Sequence, residues 1–264
     1  MGQLPLSARA LTIAGSDPTG GAGIQQDLKT FEAFGVWGLS AVAALTVQDT
    51  RGVESWQSVD GSLVRAQIDA VLNDVGCDAA KTGMLGTAGN VEVVAKAVAD
   101  HGIPALVVDP VLATGGGSSL AEEGFLQVLR EFLLPRATLI TPNVLEAAAL
   151  TGLAVETLDE QREAAVALAA LGPGAVLVTG GHIQGARVTD VLFIHGELHE
   201  MSSDRLGMGD VHGTGCALSA AITACIAKGS GLEDAVRTSR AAVLDAIARA
   251  KRLGKGAGLL EMRA

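Results

Sequence analysis

The stretch Asp210-Val211-His212-Gly213-Thr214-Gly215-Cys216, running directly into Ala217-Leu218-Ser219-Ala220-Ala221-Ile222, decides how this chain is read. Two glycines and a thiol stand at the mouth of an apolar segment predicted to be helical over 214–227. A glycine-rich turn that feeds a helix leaves backbone N–H groups bare and aims the positive end of the helix dipole at an anion. The same field favours a thiolate on Cys216. An anion cradle beside a proton acceptor suits phosphoryl transfer to a small alcohol.

Working outward from that turn, short β-rich runs alternate with longer amphipathic ones. Strands are expected at 9–14, 37–45, 52–59, 79–82, 105–108, 137–140 and 175–178, and a hairpin at 188–194 and 197–201 about His195-Gly196. Helices are expected at 24–34, 62–75, 90–100, 121–133, 144–150, 158–170, 214–227 and 232–250, on apolar positions that share one face. Aliphatic strands alternating with helices predict an α/β protein, a mostly parallel central sheet covered by helices on both faces. No internal repeat or linker interrupts the 264 residues, so one domain spanning 1–264 is expected. The segment after Leu253 carries glycine and lysine and reads as loosely ordered.

Composition narrows the partners. The formal charge is −10, from 19 basic and 29 acidic residues, which disfavours nucleic acid and anionic membrane. No apolar run approaches the roughly 20 residues that span a bilayer, and residues 1–11 do not resemble a secretion signal. A cytoplasmic location is the expectation. The three cysteines, Cys77, Cys216 and Cys225, have no metal-ligand spacing, and an odd number argues against a disulfide framework. Cys77 and Cys225 read as core or helix-face thiols.

In open parallel sheets, ligands sit beyond the carboxyl ends of the strands. The residues there are polar or glycine-rich: 15–23, Gln48-Asp49, Lys81-Thr82-Gly83-Met84, Asp109-Pro110-Val111, Thr141 to Glu146, and Thr179-Gly180-Gly181-His182. Segment 15–23 holds four glycines. It serves either a close backbone approach to a ligand or a plain strand-to-helix turn. It is neither a Walker loop nor a dinucleotide fingerprint. Asp109 can hold magnesium or cap a turn. Asn143 and Glu146, three residues apart, suit a magnesium–phosphate cluster and equally a helix capping box. His182 and His212 flank the same region without a catalytic assignment.

Taken together, Gly15-Ser16-Asp17, Gly20-Gly21-Ala22-Gly23-Ile24-Gln25, Asp27-Leu28-Lys29-Thr30-Phe31, Ala44 to Gln48, Lys81 to Met84, Val108 to Val111, Thr141-Pro142-Asn143 and His212 to Cys216 resemble the hydroxymethylpyrimidine/phosphomethylpyrimidine kinases of thiamine biosynthesis, in the ribokinase superfamily. The resemblance runs in order from about residue 10 to residue 250. Asp210-x-x-Gly213-x-Gly215-Cys216 also resembles the superfamily's signature, with Cys216 where sugar kinases keep an aspartate. It implies a ribokinase-like three-layer α/β/α sandwich, ATP and Mg2+, and a homodimer. It implies phosphorylation of 4-amino-5-hydroxymethyl-2-methylpyrimidine and then of its monophosphate. Cys216 is implied as catalytic base, with the N–H groups of Gly213, Thr214, Gly215 and Cys216 as the anion hole. Gln48 and Asp27 are implied to bond the aminopyrimidine, walled by Gly15, Ala22, Met84 and Val111. Asp109 and Glu146 are implied to hold magnesium, and Asn143, Glu146, Thr179 and Thr214 the ATP phosphates.

Two departures bear on that reading. The family pattern leads us to expect a lysine where this chain has Thr179, and another where it has Thr114-Gly115-Gly116-Gly117. A charged hydrogen bond is worth about 1.5–3 kcal/mol, so the second phosphorylation, whose substrate is already anionic, is the step put at issue. Arg51 or Lys29 would be the substitute cations. Two other readings are a pyridoxal or pyridoxine kinase and a catalytically weak pyrimidine-binding protein.

Overall fold

The computed structural model describes residues 7–112, 124–207 and 209–263. Nine strands form one sheet in the order β3-β2-β1-β4-β5-β6-β7-β8-β9. They are β1 (Arg9–Ser16), β2 (Trp37–Asp49), β3 (Gly52–Ser58), β4 (Ala79–Thr82), β5 (Leu106–Val108), β6 (Leu139–Ile140), β7 (Ala175–Val178), β8 (Arg187–Ile194) and β9 (Glu197–Asp204). The run from β2 to β7 is parallel, while β3 at one edge and β8 and β9 at the other are antiparallel. The β8–β9 turn is the expected His195-Gly196 pair, with φ of 54° and 83°, the doubly left-handed turn that suits a two-residue hairpin.

Helices cover both faces. On one lie α1 (Gly23–Ala33), α7 (Thr214–Ala227) and α8 (Leu232–Ala248); on the other lie α2 (Gly61–Asp74), α3 (Ala88–His101), α4 (Phe125–Val128), α5 (Val144–Thr151) and α6 (Leu158–Ala169). The central strands are apolar throughout because both of their faces are covered. Val107, Leu139, Ala175 and Leu177 pack toward α7 and α8, while Leu106, Val108, Ile140, Val176 and Val178 pack the opposite way. Helix α7 is buried all around, from Ala217 to Cys225, which explains why its sequence shows no polar face. Its small residues let it lie against the sheet and against both α1 and α8.

Two expectations are corrected. The helix expected at 121–133 begins outside the described residues; from Phe125 it is one α turn, a π turn over Leu129–Leu133, and a 3₁₀ turn over Leu134–Arg136. Pro135 has no N–H to donate, so the α pattern cannot continue through it. The C-terminal segment is not loosely ordered. There β11 (Gly258–Leu259) pairs in parallel with β10 (Val211–His212), and Leu259 and Leu260 are buried.

Candidate active site

Parallel pairing puts the carboxyl ends of β1, β2, β4, β5, β6 and β7 at one rim of the sheet, and the 210–216 turn closes over that rim. Together they line a cleft of about 300 Å³. Of the expected site residues, Cys216, Gly213, Gly215, Thr214, Gln48, Gly15, Ala22, Met84, Val111, Asn143, Glu146, Thr179 and Asp109 line it. The structure does not bring Asp27 to its surface.

At one pole stands the mouth of α7. Its N-cap is Gly213, with φ +80° and no side-chain cap, so the first N–H groups of the helix remain bare. A Cβ at Gly213 would lie 1.8 Å from the Gly21 carbonyl oxygen, so the turn interlocks with the loop after β1 in a way only glycine permits. Cys216 sits half-buried at this pole, on the side of the cleft where Gly23 opens α1. The thiolate expectation is corrected: burial pushes the Cys216 thiol up to about 12, with Asp109 and Asp27 adding to it. The charge of Lys81 and the nearby Gly23 N–H oppose the rise without cancelling it.

At the other pole is Gln48, near the end of β2. Its Nε2 lies 2.7 Å from His212 Nε2, which is also 3.1 Å from Asp17 Oδ2. One ring nitrogen cannot donate to Asp17 and accept from Gln48 at once, so the histidine tautomer sets how the amide is presented. Burial raises Asp17, but His212, together with the backbone N–H and hydroxyl of Thr19, outweighs it and holds the carboxylate below its ordinary value. Met84 packs with Ala44, Trp56 and Val111 as a small apolar cluster, a flat wall beside the amide.

Between the poles lie the carboxylates. Asp109 accepts from the Ser219 hydroxyl at 3.0 Å. Glu146 and Asn143 do form the capping box of α5: Asn143 Oδ1 accepts from the N–H groups of Leu145 and Glu146, and Glu146 Oε2 accepts from the Asn143 N–H at 2.9 Å. Both also line the cleft, so the two readings of that pair are compatible. Burial and then the charge of Asp109 push Glu146 up to about 8. Thr141 Oγ1 also belongs to the cleft and is buried without a hydrogen-bond partner among the described residues.

Asp27, expected against the aminopyrimidine, lies under the floor at 0% exposure. The Thr12 hydroxyl donates to one of its oxygens at 2.6 Å and Lys81 Nζ to the other at 2.8 Å. Lys81 is the residue that sequence reasoning passed over, although a lysine inside the aliphatic end of a strand is itself a signal. Burial disfavours its ammonium, but Asp27, Cys216 and Asp109 together hold it above its ordinary value, while burial raises Asp27 against the opposing pull of Lys81 and Thr12. The proposed substitute cations are elsewhere. Arg51 pairs with Asp49 on the surface, and Lys29 donates to the Gly20 carbonyl at 2.7 Å; neither lines the cleft. Thr114 lies outside the described residues.

Known proteins resemble this chain along nearly its whole length. The family model described as phosphomethylpyrimidine kinase matches residues 17–261. The hydroxymethylpyrimidine/phosphomethylpyrimidine kinase of Bacillus subtilis is 41% identical over 251 residues, covering 95% of this chain and 93% of that one. Among solved structures, an ADP complex of Bacillus subtilis pyridoxal kinase superposes with a TM-score of 0.90 at 35% identity, covering 97% of this chain and 98% of that one. A phosphomethylpyrimidine kinase from Clostridium difficile superposes with a TM-score of 0.80 at 34% identity, covering 91% and 99%.

Proposed function

The chain belongs to the phosphomethylpyrimidine kinase family, and from that premise we propose that it phosphorylates 4-amino-5-hydroxymethyl-2-methylpyrimidine and then its monophosphate, in thiamine biosynthesis. It is an ATP-dependent kinase with a ribokinase-like α/β/α sandwich. The observation that carries the reading of the site is the meeting, in one cleft, of a bare helix N-terminus bearing Cys216 with an amide and an apolar wall at Gln48, Met84 and Val111. An aminopyrimidine edge offers donors and acceptors that an amide matches in both directions. With the ring against Met84, the hydroxymethyl group reaches toward Cys216, the proton acceptor of this reading.

The N–H groups at Gly213, Thr214, Gly215 and Cys216 receive the equatorial oxygens of the transferring phosphoryl. In a loose transition state the alcohol's proton leaves late, so the demand on the base is weak and the minor thiolate form of Cys216 is the one that accepts it. Asn143 and Thr179 line the end where the donor phosphates lie, and Thr141 Oγ1 is an unused donor among them.

Mg2+ fits the carboxylates present. Burial raises both Asp109 and Glu146, the charge of Asp109 raises Glu146 further, and Lys81 is committed to Asp27. Among the described residues no cluster of three or more His, Cys, Asp or Glu side chains forms an all-protein cage. Mg2+ typically takes one or two carboxylates and completes its shell with phosphates and water. Asp109 and Glu146 would hold it, and when bound it would neutralise phosphate charge. The whole of 1–264 is read as one kinase unit that is cytoplasmic and a homodimer.

The test is product analysis by mass after incubation with the hydroxymethylpyrimidine and Mg-ATP. The monophosphate followed by the diphosphate is expected; unchanged alcohol overturns the reading. The TM-score of 0.90 to a pyridoxal kinase motivates one alternative. Faster turnover of pyridoxal than of the pyrimidine in side-by-side assays would favour it.

A further inference from the structure

Gln48 meets its neighbours through hydrogen bonds whose protons can be counted. The Thr46 hydroxyl donates its one hydrogen to the Ser16 carbonyl at 2.8 Å, so at 3.3 Å it has only lone pairs to offer the amide oxygen of Gln48. At the other end the amide nitrogen stands 2.7 Å from His212 Nε2, which also faces Asp17 Oδ2 at 3.1 Å. Asp17 is 2% exposed, and its carboxylate accepts from the N–H groups of Thr19 and Ala22 and from the Thr19 hydroxyl. An ionised carboxylate offers no proton, so the hydrogen between Asp17 and His212 belongs to Nε2. The imidazolium and the Nε2 tautomer both carry it, so the ring's charge does not matter. Nitrogen toward His212 thus sets N–H against N–H, and oxygen toward Thr46 sets lone pair against lone pair. A half-turn of the amide exchanges two ends of similar size and turns both contacts into hydrogen bonds.

We propose that His212, with its Nε2 proton fixed by Asp17, is a positioning residue: it holds the Gln48 amide with its oxygen toward the 210–216 turn and its N–H toward Thr46, and so sets the register of the bound pyrimidine. The imidazole has little room to swing. A Cβ at Gly21 would lie 3.0 Å from its Cδ2, and its backbone is paired with Leu259. The second N–H and second oxygen lone pair of the amide have no partner among the described residues and remain for a ligand in the cleft that Gln48 lines. The oxygen accepts from the exocyclic amino group, and the N–H donates to the adjacent ring nitrogen. On the ring, that amino group neighbours the carbon bearing the hydroxymethyl. Pairing it with the oxygen, on the His212 side, carries the hydroxymethyl toward the turn that ends in Cys216. The reversed amide opposes its N–H to the amino group, donor against donor. The inference rests on the reading of Gln48 as the pyrimidine's contact.

Two measurements test it. The first is the long-range proton–nitrogen correlation spectrum of substrate-free protein labelled at its histidine rings, with the His212 signals identified as those missing from His212→Gln. Nε2 is expected to carry the proton. The second compares kcat/KM, with Mg-ATP, for 4-amino-5-hydroxymethyl-2-methylpyrimidine and for the analogue that lacks the amino group. His212→Leu is expected to reduce the wild type's preference for the amino compound by about tenfold, the worth of a hydrogen bond whose partner is left unpaired. The loss should fall on KM rather than kcat, with the analogue little changed. His212→Gln, whose amide N–H reaches the place of Nε2, is expected to restore most of the preference. A purely structural histidine would slow both compounds alike. A proton on Nδ1 alone, or equal losses for the two compounds in His212→Leu, overturns the inference. A wild type with no preference for the amino compound removes the reading of the pyrimidine at Gln48, and the inference falls with it. A wild type that has the preference and a His212→Leu that keeps it sink the inference alone.

Discussion

Gly213 shows how much of this site rests on single residues. It has a left-handed backbone conformation and no room for a Cβ against the Gly21 carbonyl. Gly213→Ala must therefore shift the turn that presents the N–H groups proposed to receive the phosphoryl oxygens. A loss of kcat of about a hundredfold is expected, the scale of removing one preorganised donor, with the far-ultraviolet spectrum unchanged. Initial-rate kinetics decide it. Glu146 gives a second expectation, in metal-free buffer. Its carboxyl is raised from 4.5 to about 8 by burial and by Asp109. Well below pH 4.5 the folded and unfolded chains both hold the proton. Between about pH 4.5 and 8 the folded protein keeps a proton that the unfolded chain has released, so stability falls as pH rises through that window. Urea midpoints at pH 6 and pH 8.5 should show the decline, and Glu146→Gln should flatten it.

The C-terminal segment works as an element. Thr50, at the tip of the β2–β3 hairpin, receives a hydrogen bond from the Gly256 N–H at its hydroxyl and another from the Ala257 N–H at its carbonyl. Gly258 N–H then donates to the Asp210 carbonyl, and Leu259 packs over Gly21. One short strap thus joins the hairpin that carries Gln48 to the turn that carries Cys216. Its own sequence, rich in glycine and lysine, gives no sign of this. Leu259→Ala is expected to cost about 2–4 kcal/mol, the usual range for a buried leucine. Deleting 254–264 should raise the KM for the pyrimidine as well, because Ala257 lines the cleft. Chemical denaturation and steady-state kinetics on the two variants check both parts. The break from α to π and 3₁₀ turns over 125–136 also belongs to this scale. The apolar pattern over 125–133 is too short to tell the π turn at Leu129–Leu133 from an α turn, and Pro135, which has no N–H to donate, ends the regular pattern.

For the molecule as a whole, β2 runs past the helix that covers it. On its odd-numbered face Ala41 and Ala43 are buried, while Leu45 and Val47 are 54% and 56% exposed. That uncovered apolar face supports the homodimer reading. Sedimentation should give twice the chain mass, and Val47→Lys should shift it toward one; a monomeric wild type overturns the reading. Much of the architecture was legible beforehand. Uninterrupted aliphatic runs such as 175–178 read as strands buried on both faces, and the glycines from Gly213 to Gly215 read as a bare turn opening a helix, because hydrophobic periodicity and glycine's backbone freedom are local properties. Even the location of the cleft followed, since parallel strands leave their carboxyl ends at one rim. What the chain alone did not reveal was the burial that raises the Cys216 thiol, the retreat of Asp27 beneath the floor to meet Lys81, and the pairing of Gly258 and Leu259 with Val211 and His212. Each depends on segments 50 to 200 residues apart arriving at one place, where loss of water and nearby charges set the energies. Sequence spacing carries no record of those fields.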